Sequence, residues 1–110
     1  SHEPCSLCLS AITFSGFDNF YYLFPYEMTN NEFGIPHDLK ILKEVFKVNY
    51  GEYNKKNSYW KSYNINKLIE DLSSARKEKF ISQLKKIKKN YISLSNKYQM
   101  SKNENFIPLK

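Results

Sequence analysis

The sequence predicts an all-α fold: a small helical bundle with a long amphipathic C-terminal helix or helical hairpin and an aromatic-rich N-terminal segment. Three apolar stripes carry that expectation. Phe80, Leu84, Ile87, Tyr91, Leu94 and Tyr98 recur at steps of 4, 3, 4, 3 and 4. At 100° per residue they fall within about 40° of one line. Ile65, Leu68, Ile69 and Leu72 form a second stripe just upstream, and Leu39, Leu42, Val45 and Phe46 form a third.

The chain has 110 residues, 41% hydrophobic and 25% charged, with a mean hydropathy of −0.64. Those values describe one folded domain able to bury a core without disulfides or metal. Residues 3–27 are apolar and aromatic. Phe14, Phe17, Tyr21 and Phe24 are spaced as on a helix, yet Phe20 to Phe24 is also a continuous aromatic run of strand type. Helix is favoured here and for residues 5–12, where Pro4 suits a first helical turn, and Pro25 stops the second segment. Residues 28–37 are turn-rich and read as a loop. A short helix is expected over 38–49, capped by Asp38 and closed by Gly51. A polar loop, 51–58, leads to a helical region over 62–100. The Ser73-Ser74 pair marks a break or kink within it, and 101–110 is a tail.

Ser1-His2 reads as the remnant of an affinity tag and is set aside, and with no initiator methionine the chain reads as a processed product or a domain fragment. No apolar run is long enough for a transmembrane segment. Nothing indicates a compartment, and no stretch matches a known family pattern closely enough to name one. Lysine, asparagine, isoleucine and tyrosine are abundant, alanine and arginine scarce. This usage points to a low-GC genome, which accounts for part of the basic charge. The charge is nevertheless uneven. Residues 1–55 carry four lysines against seven acids, and residues 56–110 carry thirteen bases against four acids.

Candidate sites are few. Cys5-x-x-Cys8 has the spacing of two zinc ligands on one turn, and His2 or His37 could add to them. A second ligand pair is missing, so no metal is expected. A redox role would need the pair at a helix N-terminus following a strand, and the simplest reading is two buried, inert thiols. Lys85, Lys86, Lys88 and Lys89, with Arg76, Lys77 and Lys79, suggest phosphate binding. On a helix, however, these bases surround the apolar stripe instead of forming one face. Tyr59, Trp60 and Tyr63 lie among lysines and could stack bases or anchor a protein partner, although Trp60 is also a natural core plug. No Gly-rich phosphate loop, nucleophile elbow or carboxylate cluster is present, and His37 has only Glu32 and Asp38 near it in sequence. No catalytic residue and no cofactor is implied. The expectation is therefore a non-enzymatic protein–protein interaction module using an amphipathic helical surface. The alternative is a nucleic-acid-binding domain using the basic stretch from Arg76 to Lys89. Leu84, Ile87 and Leu94 should be largely buried, by this chain or by a partner.

Overall fold

The computed structural model describes residues 1–106, 108 and 109. Among these residues, five α-helices and a two-stranded sheet follow one another: α1 (Ser6–Phe14), β1 (Asn19–Tyr22), α2 (Tyr26–Asn31), α3 (His37–Phe46), β2 (Lys61–Asn64), α4 (Ile65–Glu70) and α5 (Ser74–Ser101). Short 3-10 turns occupy Asn49–Gly51 and Lys102–Glu104. The fold is thus predominantly helical but not all-α. β1 and β2 pair in parallel, with Asn19 opposite Lys61, Phe20 opposite Ser62, Tyr21 opposite Tyr63 and Tyr22 opposite Asn64.

The sheet overturns the helical expectation for the aromatic segment. Gly16, at φ +72°, ends α1. A helix carrying Phe14, Phe17, Tyr21 and Phe24 on one face therefore cannot run through. Downstream, the aromatic side chains suit a pleated surface and find cross-strand partners. The Tyr21 and Tyr63 rings stack at 5.2 Å, and Phe20 meets Trp60 edge-on at 5.0 Å. β2 takes the first residues of the region expected to be helical from 62 onward.

The turn-rich stretch is partly helical, with Pro25 at the N-cap of α2 and not at the end of a preceding helix. Asp38 lies in the first turn of α3, whose N-cap is Pro36, with no side-chain capping bond. α3 ends at Lys47, which takes the left-handed conformation itself. Gly51 closes the following 3-10 turn at φ +69°, and a Cβ there would lie 2.4 Å from the Tyr26 ring. Asp71–Ser73 separates α4 from α5, with Ser73 as the N-cap of α5.

Leu23, Phe24 and Phe33 form the apolar centre, packed on by Met28, Ile35, Ile65, Leu84 and Tyr91. Ser1 and His2 belong to this fold and are not an appendage. The Ser1 carbonyl accepts from the Leu23 and Phe24 N–H groups. The His2 ring sits 4.9–5.3 Å from Phe33, Phe24 and Tyr91, with Nδ1 bonded to the Thr29 hydroxyl at 2.8 Å. Burial, helped by the adjacent N-terminal charge, lowers the His2 pKa.

A second, polar centre surrounds Glu3, which is buried. Its carboxylate accepts from the Tyr26 N–H at 3.0 Å, the Tyr53 hydroxyl at 2.9 Å and the Lys55 ammonium at 3.0 Å. Burial, reinforced by the Glu3 charge, pushes the Tyr22 phenol up to about 12. Burial also raises Tyr26 and Tyr53 well above the ordinary phenol range. The apolar centre forms the platform on which α5 lies, through Leu84 and Tyr91.

Candidate functional site

Among the described residues, the long helix is held along one edge by the domain and meets α4 at its start. Leu84, Tyr91 and Tyr98 are half-buried against the domain, the Ser95 hydroxyl donates to the Phe33 carbonyl at 2.7 Å, and the Gln99 amide donates to the Gly34 carbonyl at 3.0 Å. Lys88 pairs with Glu32 at the end of α2. No residue of α5 is fully buried.

The six-residue stripe therefore divides into two rows of heptad spacing. Leu84, Tyr91 and Tyr98 face the platform. Phe80, Ile87 and Leu94 do not, and remain 40%, 39% and 60% exposed. Of the two ways in which Ile87 and Leu94 are expected to be buried, this chain does not supply the first, because an antiparallel neighbour would have to cover the second row. α4, the helix in position to do so, ends after Glu70 and reaches only the start of α5.

Where α4 meets α5, the uncovered row opens into a groove of about 510 Å³. α4 and the turn after it supply Ile65, Leu68, Ile69 and Leu72, while α5 supplies Phe80, Arg76 and Lys79. The lining is apolar with two bases and no acid. α5 as a whole carries eight bases and one acid, Glu78. At 100° per residue, Lys79, Lys86 and Lys97 fall on the flank of the Phe80–Ile87–Leu94 row that faces away from the platform, and Arg76 lies in line with the row. Glu78 projects to the opposite side of the helix.

The residues singled out in the sequence are dispersed. Trp60 is 7% exposed, its indole N–H donating to the Thr13 hydroxyl at 2.8 Å, and it serves as an internal plug between β1 and α1. Tyr59 beside it is exposed, and Tyr63 is half-buried in its stack with Tyr21. Lys85, Lys86 and Lys89 are exposed and Lys88 is engaged with Glu32. Among the described residues no hydrogen bond, ion pair or ring contact joins these lysines to the loop aromatics. The four lysines spread over about 160° of the helix circumference instead of forming one face.

Cys5 is half-buried and Cys8 exposed, so neither is the sealed hydrophobe that a structural cysteine would be. Among the described residues no three His, Cys, Asp or Glu side chains come together to hold a metal, and His37 does not complete a set with the two thiols. Asp38 has its carboxyl raised by burial, an effect opposed by the adjacent His37. Among the described residues no helix is long and apolar enough to cross a membrane. The α4–α5 groove could not be read from the sequence as a site. Its signal is a stripe more than twice as long as the helix that covers it.

Comparison with known proteins finds no matching family model, no matching curated protein and no matching solved structure.

Proposed function

We propose that this domain is a non-enzymatic protein-interaction module whose α4–α5 groove, continued by Ile87 and Leu94, receives an acidic amphipathic helix of a partner protein. The uncovered heptad row Phe80–Ile87–Leu94 carries this reading. Apolar side chains repeating every seven residues present the seam that a second helix fills. Their continued exposure is unfavourable: full burial of such a side chain is worth roughly 1.5–3 kcal/mol, of which the exposed 39–60% is still to be gained.

Charge selects the occupant. With Arg76, Lys79, Lys86 and Lys97 along the seam and no acid among them, a second copy of α5 would set base against base. A helix bearing Asp and Glu beside its apolar row is complementary, gaining on-rate and specificity. Shape supports the same choice over a flat anionic surface: the groove is concave, walled by Leu68 and Leu72 on one side and Phe80 on the other.

The test is selection from a displayed library of helical peptides, followed by titration of the selected sequences. The expected binders combine apolar residues at i, i+3 or i+4, and i+7 with flanking Asp or Glu. Ile87→Asp and Leu94→Asp should abolish binding without loss of helix content, while joint replacement of Lys85 and Lys89, which point away from the groove, should leave it. Binders without acidic residues, or binding that survives Ile87→Asp, would overturn the proposal. So would micromolar affinity for generic DNA or RNA at physiological salt that is lost when Lys85, Lys86, Lys88 and Lys89 are replaced together. Such affinity would show a salt slope of about −0.9 per phosphate contact on duplex DNA or about −0.7 on single strands.

A further inference from the structure

We infer that Cys5 and Cys8 are a thiol–disulfide exchange pair, which closes to an intramolecular disulfide on reaction with an organic disulfide. The two sulfurs lie 3.2 Å apart on the first turn of α1. Cys5 is the N-cap residue, and its sulfur accepts the Cys8 N–H at 3.4 Å. A disulfide is about 2.05 Å long. Closure therefore asks the sulfurs to approach by about 1.2 Å, which side-chain rotation on one turn supplies without moving another element.

Access and position on the helix agree with that role. Cys8 is exposed and Cys5 half-buried, so a reagent reaches the pair from solvent. The first turn of α1 contains no acidic residue, and the N-terminal end of a helix favours a negative sulfur. The Cys8 thiol is raised above its ordinary value, chiefly by its hydrogen bond with Cys5.

The reaction balances with the organic disulfide as oxidant. One thiolate of the pair attacks a sulfur of the disulfide, forming a mixed disulfide and expelling one thiolate, which takes up a proton. The second sulfur of the pair, losing its proton to solvent, then attacks the protein sulfur of the mixed disulfide. That step forms the Cys5–Cys8 bond, breaks the mixed disulfide and releases the second thiol. The pair gives up two protons and two electrons, and the oxidant is reduced to two thiols.

The experiment uses the full chain equilibrated with graded ratios of reduced to oxidised glutathione, acid-quenched, alkylated and weighed intact. The wild type should pass from two alkylatable thiols to none, losing two hydrogens and retaining no glutathione. Cys5→Ser and Cys8→Ser should each keep glutathione as a stable adduct on the remaining sulfur. The adduct fraction in either variant should exceed that of the wild type by roughly tenfold or more, because the second thiol resolves the adduct at high effective concentration. Both cysteines lie near the surface, so both variants should keep the wild-type circular dichroism. A wild type that retains glutathione as fully as the variants would overturn the inference. So would a wild type that stays doubly alkylatable at ratios where the single-cysteine variants are modified.

Discussion

Glu3→Gln removes one charge and almost no volume from the polar centre, which makes it a direct probe of what holds the N-terminal segment in place. One carboxylate oxygen accepts from the Tyr53 hydroxyl and the Lys55 ammonium, and the other accepts from the Tyr26 N–H. An amide can satisfy only one of these two sides. Oriented toward Tyr53 and Lys55, its oxygen leaves the NH2 facing the Tyr26 N–H. Turned over, it sets the NH2 against the hydroxyl and the ammonium. Either way a buried donor loses its acceptor, at about 1–3 kcal/mol, and a charge-assisted bond worth about 1.5–3 kcal/mol is weakened. The Lys55 side chain is 37% exposed and can turn to water, which limits the loss. The expected destabilisation is about 2–4 kcal/mol, a large part of the roughly 5–15 kcal/mol that a domain possesses. Lys55→Met should cost about 1–3 kcal/mol, because the buried carboxylate loses its charge partner but keeps its bonds from Tyr26 and Tyr53. The double variant should be less damaged than the two losses added together, with a coupling of about 1–3 kcal/mol. Urea unfolding followed by the fluorescence of Trp60, the single tryptophan, measures all four proteins. Glu3→Gln within about 0.5 kcal/mol of wild type would refute the assignment of Glu3 as the hub.

Further expectations concern pH, backbone and the two rows of α5. Tyr22, Tyr26 and Tyr53 have phenol pKa values raised in the folded state, so the folded protein holds these protons more tightly than the unfolded chain. Their contribution is fully present below pH 10 and is lost as pH climbs through about 12, the Tyr22 value. Ultraviolet phenolate titration should show these three of the nine tyrosines ionising late, together with unfolding. A single unperturbed transition for all nine would contradict the packing. Gly51→Ala should cost at least about 1–3 kcal/mol, since it combines a positive φ with a collision at the Tyr26 ring, and a neutral result in thermal melts would show that the turn is relaxed. Leu84→Asp should unfold the domain, whereas Leu94→Asp should leave its melting temperature nearly unchanged. Equal losses would mean that both rows are covered within the chain.

The helices with regular apolar spacing were legible because their information is local. Steps of three and four over residues 80–98 fix α5, and the Leu39–Phe46 pattern with Pro36 upstream fixes α3. The sheet was not legible, since each strand is four residues long and its partner lies about forty residues away. Phe14, Phe17, Tyr21 and Phe24 happen to share the helical period, and the residue that decides against a helix is Gly16. Its positive φ outweighs a spacing that side chains alone satisfy. Glu3 and His2 were illegible for a different reason. A lone glutamate and a lone histidine at a chain start look solvated, and only the convergence of Tyr26, Tyr53 and Lys55 on the first, and of three aromatic rings on the second, makes them interior groups.

The candidate groove follows from a distinction that periodicity does not draw. A stripe at steps of four and three identifies which side of a helix is apolar, but its width accommodates two rows and a platform can cover one. Which row is covered depends on the length and angle of the neighbouring element. Here α4 spans six residues against the twenty-eight of α5. The platform built on Phe24 and Phe33 meets α5 from the other side, at Leu84 and Tyr91. The lysines beside the open row then acquire a meaning that their number alone does not give. Spread evenly they would solvate a helix. Placed with Arg76 along an open apolar seam, they disfavour pairing of that seam with a second copy of itself and, under the proposed function, favour a helix of opposite charge.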